Sequence, residues 1–120
     1  MAEKLGRGDE VRRPTGWVVR LIDRQAAKGW ETLLTHAPGN LDRAWVAITA
    51  DPRCRDSLAR QHPLRLDLGH VDIDGVAMEQ WQYEVTGGGR IWYAIDDARR
   101  TVWITQAGTA HPRQTDKRRR

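Results

Sequence analysis

The chain has 120 residues, a net charge of +4, 39% hydrophobic residues and one cysteine. This length predicts one compact domain, and one cysteine excludes an intramolecular disulfide and favours a reducing compartment. The first fifteen residues carry charges throughout and contain no apolar run, which argues against a secretory signal or a membrane span. We therefore expect a cytoplasmic protein that does not enter the membrane.

The positive charge is concentrated at the C-terminal end. The last four residues, Lys117 to Arg120, are all basic, and without them the chain has 16 basic and 16 acidic residues. Non-specific phosphate binding grows with the number of cations that meet phosphates. Any nucleic-acid binding by the rest of the chain must therefore depend on a local arrangement of charges.

The composition predicts three parts. Residues 1–15 are polar, with Gly and Pro, and are expected to form a flexible lead-in. Residues 16–112 hold the apolar patterning of a folded domain. Residues 113–120 form a basic flexible tail, in which Asp116 to Arg120 offer no apolar side chain as an anchor and are expected to be disordered.

The first elements are a strand and two helices. "GWVVRLI" (16–22) is apolar and β-branched, which is typical of a strand. Asp23 then caps a helix whose apolar residues recur at helical spacing, and "APGN" (37–40) ends it. Asn40 is expected to cap a second helix that stops at Asp51. The short link predicts that the two helices pack as an antiparallel hairpin.

The second half has the period of a sheet. Residues 52–63 are charged and irregular, and leucines then alternate with polar residues over 64–68. "DG" at 74–75 predicts a tight turn, and strands are expected over about 78–85, 90–96 and 101–106. The fold class is therefore α+β, with an N-terminal strand and a helical hairpin packed on a mostly antiparallel twisted sheet.

Side chains alternate along strands, so residue parity sorts the two faces of this sheet. The apolar odd positions of the first two strands and the even positions of the third must face the helices. The opposite face then carries polar and aromatic side chains: Gln82, Glu84, Arg90, Trp92, Thr101, Trp103 and Thr105.

The tighter of two possible registers places Glu84 directly across from Arg90, and the next one places it across from Trp92. One interpretation is a cross-strand salt bridge on a solvated sheet, which contributes little to stability. The other is a functional site. Gly87 to Gly89 are expected to supply the positive φ angles of the hairpin turn.

The run "EQWQYEVTGGGRIWYAIDDARRTVWITQAGTAHP" (79–112) resembles the RelE/ParE superfamily of toxins from bacterial type II toxin–antitoxin modules. The resemblance extends over residues 16–112, and its sharpest parts are "YEVTGGGRIWYAID" and "AGTAHP". It implies this same α+β fold. Members include ribosome-dependent mRNA endonucleases and gyrase poisons, between which a fold alone does not decide.

The resemblance also implies residue roles. In the nuclease members, the arginine in the position of Arg90 binds the scissile phosphate, and His111 matches a side chain that acts as general acid. Glu84 lies near the position of a carboxylate base. Trp92, Trp103, Tyr93 and Arg113 are the residues we expect to contact substrate. The lysine-rich strand of the best-known ribosome-dependent members is replaced here by "QWQYEV".

The resulting hypothesis is a metal-independent mRNA endoribonuclease, with or without a need for the ribosome, that a cognate antitoxin neutralises. RNA can be cut without a cofactor when its 2′-OH attacks the adjacent phosphorus, which needs a base, a cation and an acid. No metal-ligand spacing occurs in the sequence. The alternatives are a gyrase inhibitor that binds DNA gyrase without chemistry, and a toxin-like binding module without toxicity.

Overall fold

A computed structural model describes residues 4–11, 13, 14 and 16–109. Its elements are strand β1 (Val18–Leu21), helices α1 (Arg24–His36) and α2 (Pro38–Ala50), and strands β2 (Gln61–Pro63), β3 (His70–Ile73), β4 (Val76–Glu84), β5 (Arg90–Asp96) and β6 (Thr101–Gly108). Two helices on a mostly antiparallel sheet confirm the predicted α+β class. Neither helix of the described ranges has the length and apolar character needed to cross a bilayer.

The cap predicted for the first helix is present. The Asp23 carboxylate accepts a hydrogen bond from the Ala26 backbone N–H at 2.8 Å, which satisfies one of the free donors at the start of α1. The cap predicted for the second helix is wrong. Helix α2 begins at Pro38, whose fixed φ suits the first helical position, so Asn40 lies inside the helix.

The sheet has the strand order β1-β6-β5-β4-β2, and β3 pairs with the first part of β4. Strand β1 runs parallel to β6, while the pairs β4–β5 and β5–β6 are antiparallel. The "DG" turn is confirmed, because Asp74 and Gly75 both have positive φ, 52° and 85°, as a two-residue hairpin turn requires.

The leucine alternation over residues 64–68 is not a strand. Residues Leu66–Gly69 form a short 3₁₀ helix, and Leu66 has a positive φ of 54° with 93% of its surface exposed. The strand that pairs with β4 at this point is instead the three-residue β2. Alternating leucines predict a strand only when one face is buried, and here Leu66 and Leu68 are exposed.

The predicted parity of the sheet is correct. The helix-facing side buries one large cluster, comprising Ala26, Leu33, Leu41, Ala44, Ile48, Trp81, Tyr83, Val85, Ile91, Tyr93, Ile95, Val102 and Ile104. The opposite side, here called the open face, is covered only at one end by a small cluster of Ile73, Met78 and Ala94, against which Trp103 packs. The other end of the open face, where β4 and β5 join, has no such cover among the described residues.

The segment after α2 is fixed to the sheet by charged and aromatic contacts. Arg53 forms ion pairs with Asp97 (2.8 Å) and Glu79 (2.9 Å), and the Arg55 guanidinium lies 5.3 Å from the centre of the Trp81 ring. Hydrogen bonds and charge attraction from Arg53 lower the pKa of both Glu79 and Asp97.

These shifts predict a loss of stability in acid. Both carboxylates ionise more readily in the folded chain. Their contribution to stability is therefore complete above their ordinary pKa values of 4.5 and 3.8, and it is lost as the pH falls through their lowered pKa values in the folded chain. We expect the Tm of the wild type to fall more steeply below about pH 4.5 than that of Arg53→Met. Arg65→Met, at an exposed position, should keep the wild-type profile. Equal acid profiles in all three proteins would contradict this assignment.

Candidate functional site on the open face

The uncovered end of the open face collects polar and aromatic side chains from four adjacent strands, β2, β4, β5 and β6. They are half-buried or exposed, and lie in two neighbouring rows across the sheet. The members are His62, Gln82, Glu84, Arg90, Trp92 and Gln106. Sequence parity predicted four of them, and His62 and Gln106 are additions.

Glu84 and Arg90 are direct partners across β4 and β5, which confirms the tighter predicted register. The Glu84 N–H donates to the Arg60 carbonyl oxygen (2.8 Å) on the side away from β5. Glu84 and Arg90 are therefore a pair without mutual backbone hydrogen bonds, in which Cβ atoms lie about 4.5–5.5 Å apart. Their side chains nevertheless form no ion pair in the structure, whose described ion pairs both involve Arg53.

Arg90 is half-buried at the first position of β5. Its Nε atom is shielded from solvent and has no hydrogen-bond partner, and it is the one side-chain atom in this state among the described residues. A buried donor without a partner costs about 1–3 kcal/mol. An acceptor supplied by a ligand at this position would remove that cost.

The glycine run sets the position of Arg90 in a different way from the predicted one. None of Gly87 to Gly89 has a positive φ, so that expectation is wrong. The turn closes through Thr86, whose Oγ1 accepts from the Gly89 N–H at 2.8 Å. A Cβ on Gly89 would lie 2.8 Å from Leu33 Cδ2 and 2.9 Å from Thr86 Oγ1. Gly89 therefore lets the chain pack closely under Leu33 of α1 immediately before Arg90, where a larger residue would have to displace that side chain.

A hydrogen-bonded chain orients Trp92. Its indole Nε1–H donates to Gln82 Oε1 at 2.8 Å, and Gln82 Nε2 lies 3.4 Å from His62 Nε2. His62 Nδ1 lies 3.1 Å from the Pro63 carbonyl oxygen, so Nδ1 carries the proton and Nε2 accepts from Gln82. The sequence hides this role of His62, because β2 has three residues and contains a proline.

Two of the residues predicted to contact substrate lie away from this site. Tyr93 is completely buried on the helix side, where its hydroxyl donates to the Pro52 carbonyl oxygen (2.7 Å) and accepts from Gln61 (3.0 Å). Burial raises its pKa. Tyr93 therefore has no surface to offer a substrate, and the predicted contact is corrected to a role in the core.

Trp103 shares the open face with Arg90 but lies at the other end of it. It pairs with Ala94, four residues along β5 from Arg90, which corresponds to about 13 Å. Its indole Nε1–H is directed to Asp96 Oδ2 at 3.5 Å, and its ring packs on the small cluster. Trp103 therefore lies apart from Arg90 and Trp92 on the same face, and its contact with substrate stays a prediction.

Strand β6 contains a bulge beside the site. Trp92 pairs with Gln106 and Tyr93 pairs with Ile104, so Thr105 is an extra residue. The Thr105 hydroxyl bonds to the Gln80 side chain, and Gly108 becomes the partner of Arg90. The predicted site residues His111 and Arg113 lie outside the described residues.

Within the described ranges, no group of three His, Cys, Asp or Glu side chains is arranged to hold a metal ion. The open face instead presents one guanidinium with an unused donor, one carboxylate without a cation, and an indole fixed by hydrogen bonds. This combination is suited to binding an anion next to a proton acceptor.

Comparison with known proteins shows a likeness of fold. No protein-family model matches the chain, and no curated protein matches it. Among solved structures, a metal-bound toxin from Helicobacter pylori has a TM-score of 0.54 with 14% identity, over 78% of this chain and 93% of that one. The toxin–antitoxin complex RelBE2 from Mycobacterium tuberculosis has a TM-score of 0.45, 24% identity and coverages of 79% and 99%.

The isolated RelE toxin of Escherichia coli has a TM-score of 0.47 with 17% identity, over 79% of this chain and 85% of that one. The likeness to the Helicobacter pylori toxin is one of fold, and it agrees with the α+β fold that the sequence resemblance implies.

Proposed function

We propose that this protein is the toxin of a type II toxin–antitoxin module and cuts mRNA without a metal ion. The observation that carries the proposal is Arg90, a half-buried arginine on the open face with a shielded Nε–H that has no partner among the described residues. A phosphodiester supplies two acceptor oxygens in the geometry that a guanidinium fits bidentately. Arg90 would hold the scissile phosphate and stabilise the charge that grows on it during the reaction.

Glu84 is the candidate base. It stands directly across from Arg90 and no described cation lies at ion-pair distance from it, so its carboxylate is available to a ligand. In the proposed reaction, Glu84 takes the proton of the 2′-OH, the 2′-oxygen bonds to phosphorus, and the bond to the 5′-oxygen breaks. The products are a 2′,3′-cyclic phosphate and a 5′-hydroxyl, whose proton comes from a general acid.

His111 remains the candidate for that acid. It follows Gly108 by three residues in the sequence, and Gly108 is the backbone partner of Arg90. Trp92 is the candidate for stacking an unpaired base, since its ring lies on the same face one row from Glu84 and Arg90. The open face and the sequence that follows β6 thus offer a candidate for each group the reaction needs.

A cognate antitoxin is the proposed partner. A toxin of this kind must be neutralised in its own cell, and a segment of the antitoxin laid over the open face beside Arg90 would block the phosphate site directly. Charge complementarity to the guanidinium would add to that contact. The open face has no cover at this end within the described chain, which leaves room for such a segment.

The proposal is tested by induced expression in bacteria, with parallel mapping of RNA ends and of DNA breaks. We expect growth arrest and new transcript ends that carry a 5′-hydroxyl and a cyclic phosphate. Omission of ribosomes from a purified cleavage assay then shows whether the ribosome is required. DNA breaks without transcript cleavage would contradict the proposal and support the inhibitor of DNA gyrase.

A further inference from the structure

A polar pocket opens at the edge of the sheet on its helix-facing side, at the end of β4 and next to the start of α2. Its volume is about 310 Å³. The lining residues are Asn40, Arg43, Arg60, Tyr83 and Val85. None of the roles assigned so far uses this pocket.

The first wall of the pocket is built by α2. Asn40 and Arg43 are three residues apart on the helix and so lie on one side of it. The Arg43 guanidinium donates to Asn40 Oδ1, and Asn40 Nδ2 donates to the Val85 carbonyl oxygen at 3.1 Å. The first turn of α2 is thereby tied to the end of β4, and the Arg43 guanidinium is linked to that end through Asn40.

The second wall is built by Arg60. Its N–H donates to the Ser57 carbonyl oxygen at 3.0 Å, and its carbonyl oxygen accepts from the Glu84 N–H at 2.8 Å. The guanidinium Nη1 lies 3.4 Å from the Glu84 carbonyl oxygen. Backbone and side chain of Arg60 are therefore both held against the edge of β4.

The charge of the pocket is unbalanced. Two arginines line it, no carboxylate lines it, and neither arginine forms an ion pair in the described part of the chain. Two guanidinium groups that share one pocket repel each other, and an anion between them would convert that repulsion into attraction. The planar donors of arginine favour a phosphate or a carboxylate.

The position of the pocket favours a ligand that carries several anionic groups. Arg60, Glu84 and Arg90 are successive neighbours across three adjacent backbone segments. Segments in a sheet are about 4.8 Å apart, so the Cα atoms of Arg60 and Arg90 are about 10 Å apart. A ligand that meets both arginines must carry repeated anionic groups along one chain, as a nucleic acid does.

We infer that Arg43 and Arg60 bind a second phosphodiester of the same RNA strand, close to the one held by Arg90. This inference rests on the proposed function for the identity of the strand. The pocket then sets the path of the RNA around the edge of β4, from the open face to the helix-facing side, and contributes to affinity without taking part in the bond change. Asn40 positions Arg43 for this contact.

Binding of a short fluorescent 2′-deoxy oligonucleotide of mixed sequence tests the inference, because this probe carries the phosphates but cannot be cut. The dissociation constant is measured by anisotropy over a series of salt concentrations. We expect the Arg43→Ala/Arg60→Ala protein to lose about 0.7 from the slope of log affinity against log salt, the value for one single-strand phosphate.

Arg20→Ala/Arg24→Ala is the matched control. It removes the same charge from exposed positions in β1 and α1, and β1 lies at the opposite edge of the sheet. We expect less than half of that change in slope. Thermal melts of both double variants confirm that each protein is folded, and the single variants replace the pair if it is not.

The possible outcomes separate the two proposals. If the pocket variant and the control have equal salt slopes, the phosphate-binding role of the pocket is contradicted, even if the wild type cuts RNA. A wild type that does not cut RNA, with the slope difference intact, overturns the nuclease and leaves the pocket as a phosphate site. The pocket proposal is also contradicted if the wild type does not bind the oligonucleotide. It is likewise contradicted if the pocket variant loses binding of poly-glutamate but keeps binding of the oligonucleotide.

Discussion

Arg90→Ala is expected to lower the rate of RNA cleavage about a hundredfold or more, since the cation that stabilises the transition state is lost. The fold should be affected by less than about 1 kcal/mol, because the replaced side chain lies on the open face and leaves no described hydrogen-bond partner unsatisfied. Arg90→Lys should recover only part of the activity, since an ammonium group cannot make the bidentate contact. Cleavage and growth arrest are measured beside a thermal melt.

Arg99→Ala provides the matched control for this experiment. Arg99 is exposed in the turn that follows β5, at the opposite end of the strand from Arg90. We expect this variant to keep full toxicity and normal antitoxin binding. An Arg90→Ala protein that is folded and fully toxic would exclude Arg90 from the chemistry and favour a toxin that acts by binding alone.

Gly29→Ala is expected to destabilise the protein by about 3 kcal/mol, at the upper end of the usual cost of overpacking. A Cβ at this position would lie 1.8 Å from the Ala107 carbonyl oxygen and 2.5 Å from its carbonyl carbon. Both atoms belong to the backbone of β6, so α1 must move away from the sheet. Urea denaturation measures the effect as a shift of the midpoint at unchanged m-value.

The chain supplies a matched helical glycine for comparison. Gly39 lies in the first turn of α2, and the nearest atom to its added Cβ is Arg43 Nη1 at 4.0 Å. Gly39→Ala should leave stability unchanged or raise it by up to about 1 kcal/mol, since alanine favours helix. A Gly29→Ala midpoint equal to that of Gly39→Ala would show that α1 does not approach β6 this closely.

The sequence predicted the elements whose side chains alternate against a buried face. Strand β5 has the predicted bounds, 90–96, and the Glu84–Arg90 pairing is one of the two registers that keep the apolar residues of β4 and β5 on one side. Asp23 was recognisable because a capping carboxylate acts on donors within its own turn. These features depend on neighbours in sequence or on one pairing.

Other features depend on contacts that no local pattern contains. Strand β2 is short and includes Pro63, and it exists because β4 offers a free edge. The role of Gly89 depends on Leu33, a residue of α1. The unpaired state of Arg90 and the pocket of Arg43 and Arg60 arise from side-chain positions on separate elements. Parity alone could not separate Trp103 from the site. Parity predicts which face of the sheet a residue lies on, but not whether other residues pack against that part of the face.

The bulge in β6 affects how this chain is compared with its relatives. Removal of Thr105 alone would leave Ile104 opposite Tyr93 and Gln106 opposite Trp92. A strand without the bulge therefore keeps the same pairing with β5 both before and after this position. An alignment with such a strand needs a one-residue gap inside a β-strand, where gaps are normally avoided. Without that gap, every position after Thr105 is displaced by one, and His111 is compared with the neighbour of its true counterpart.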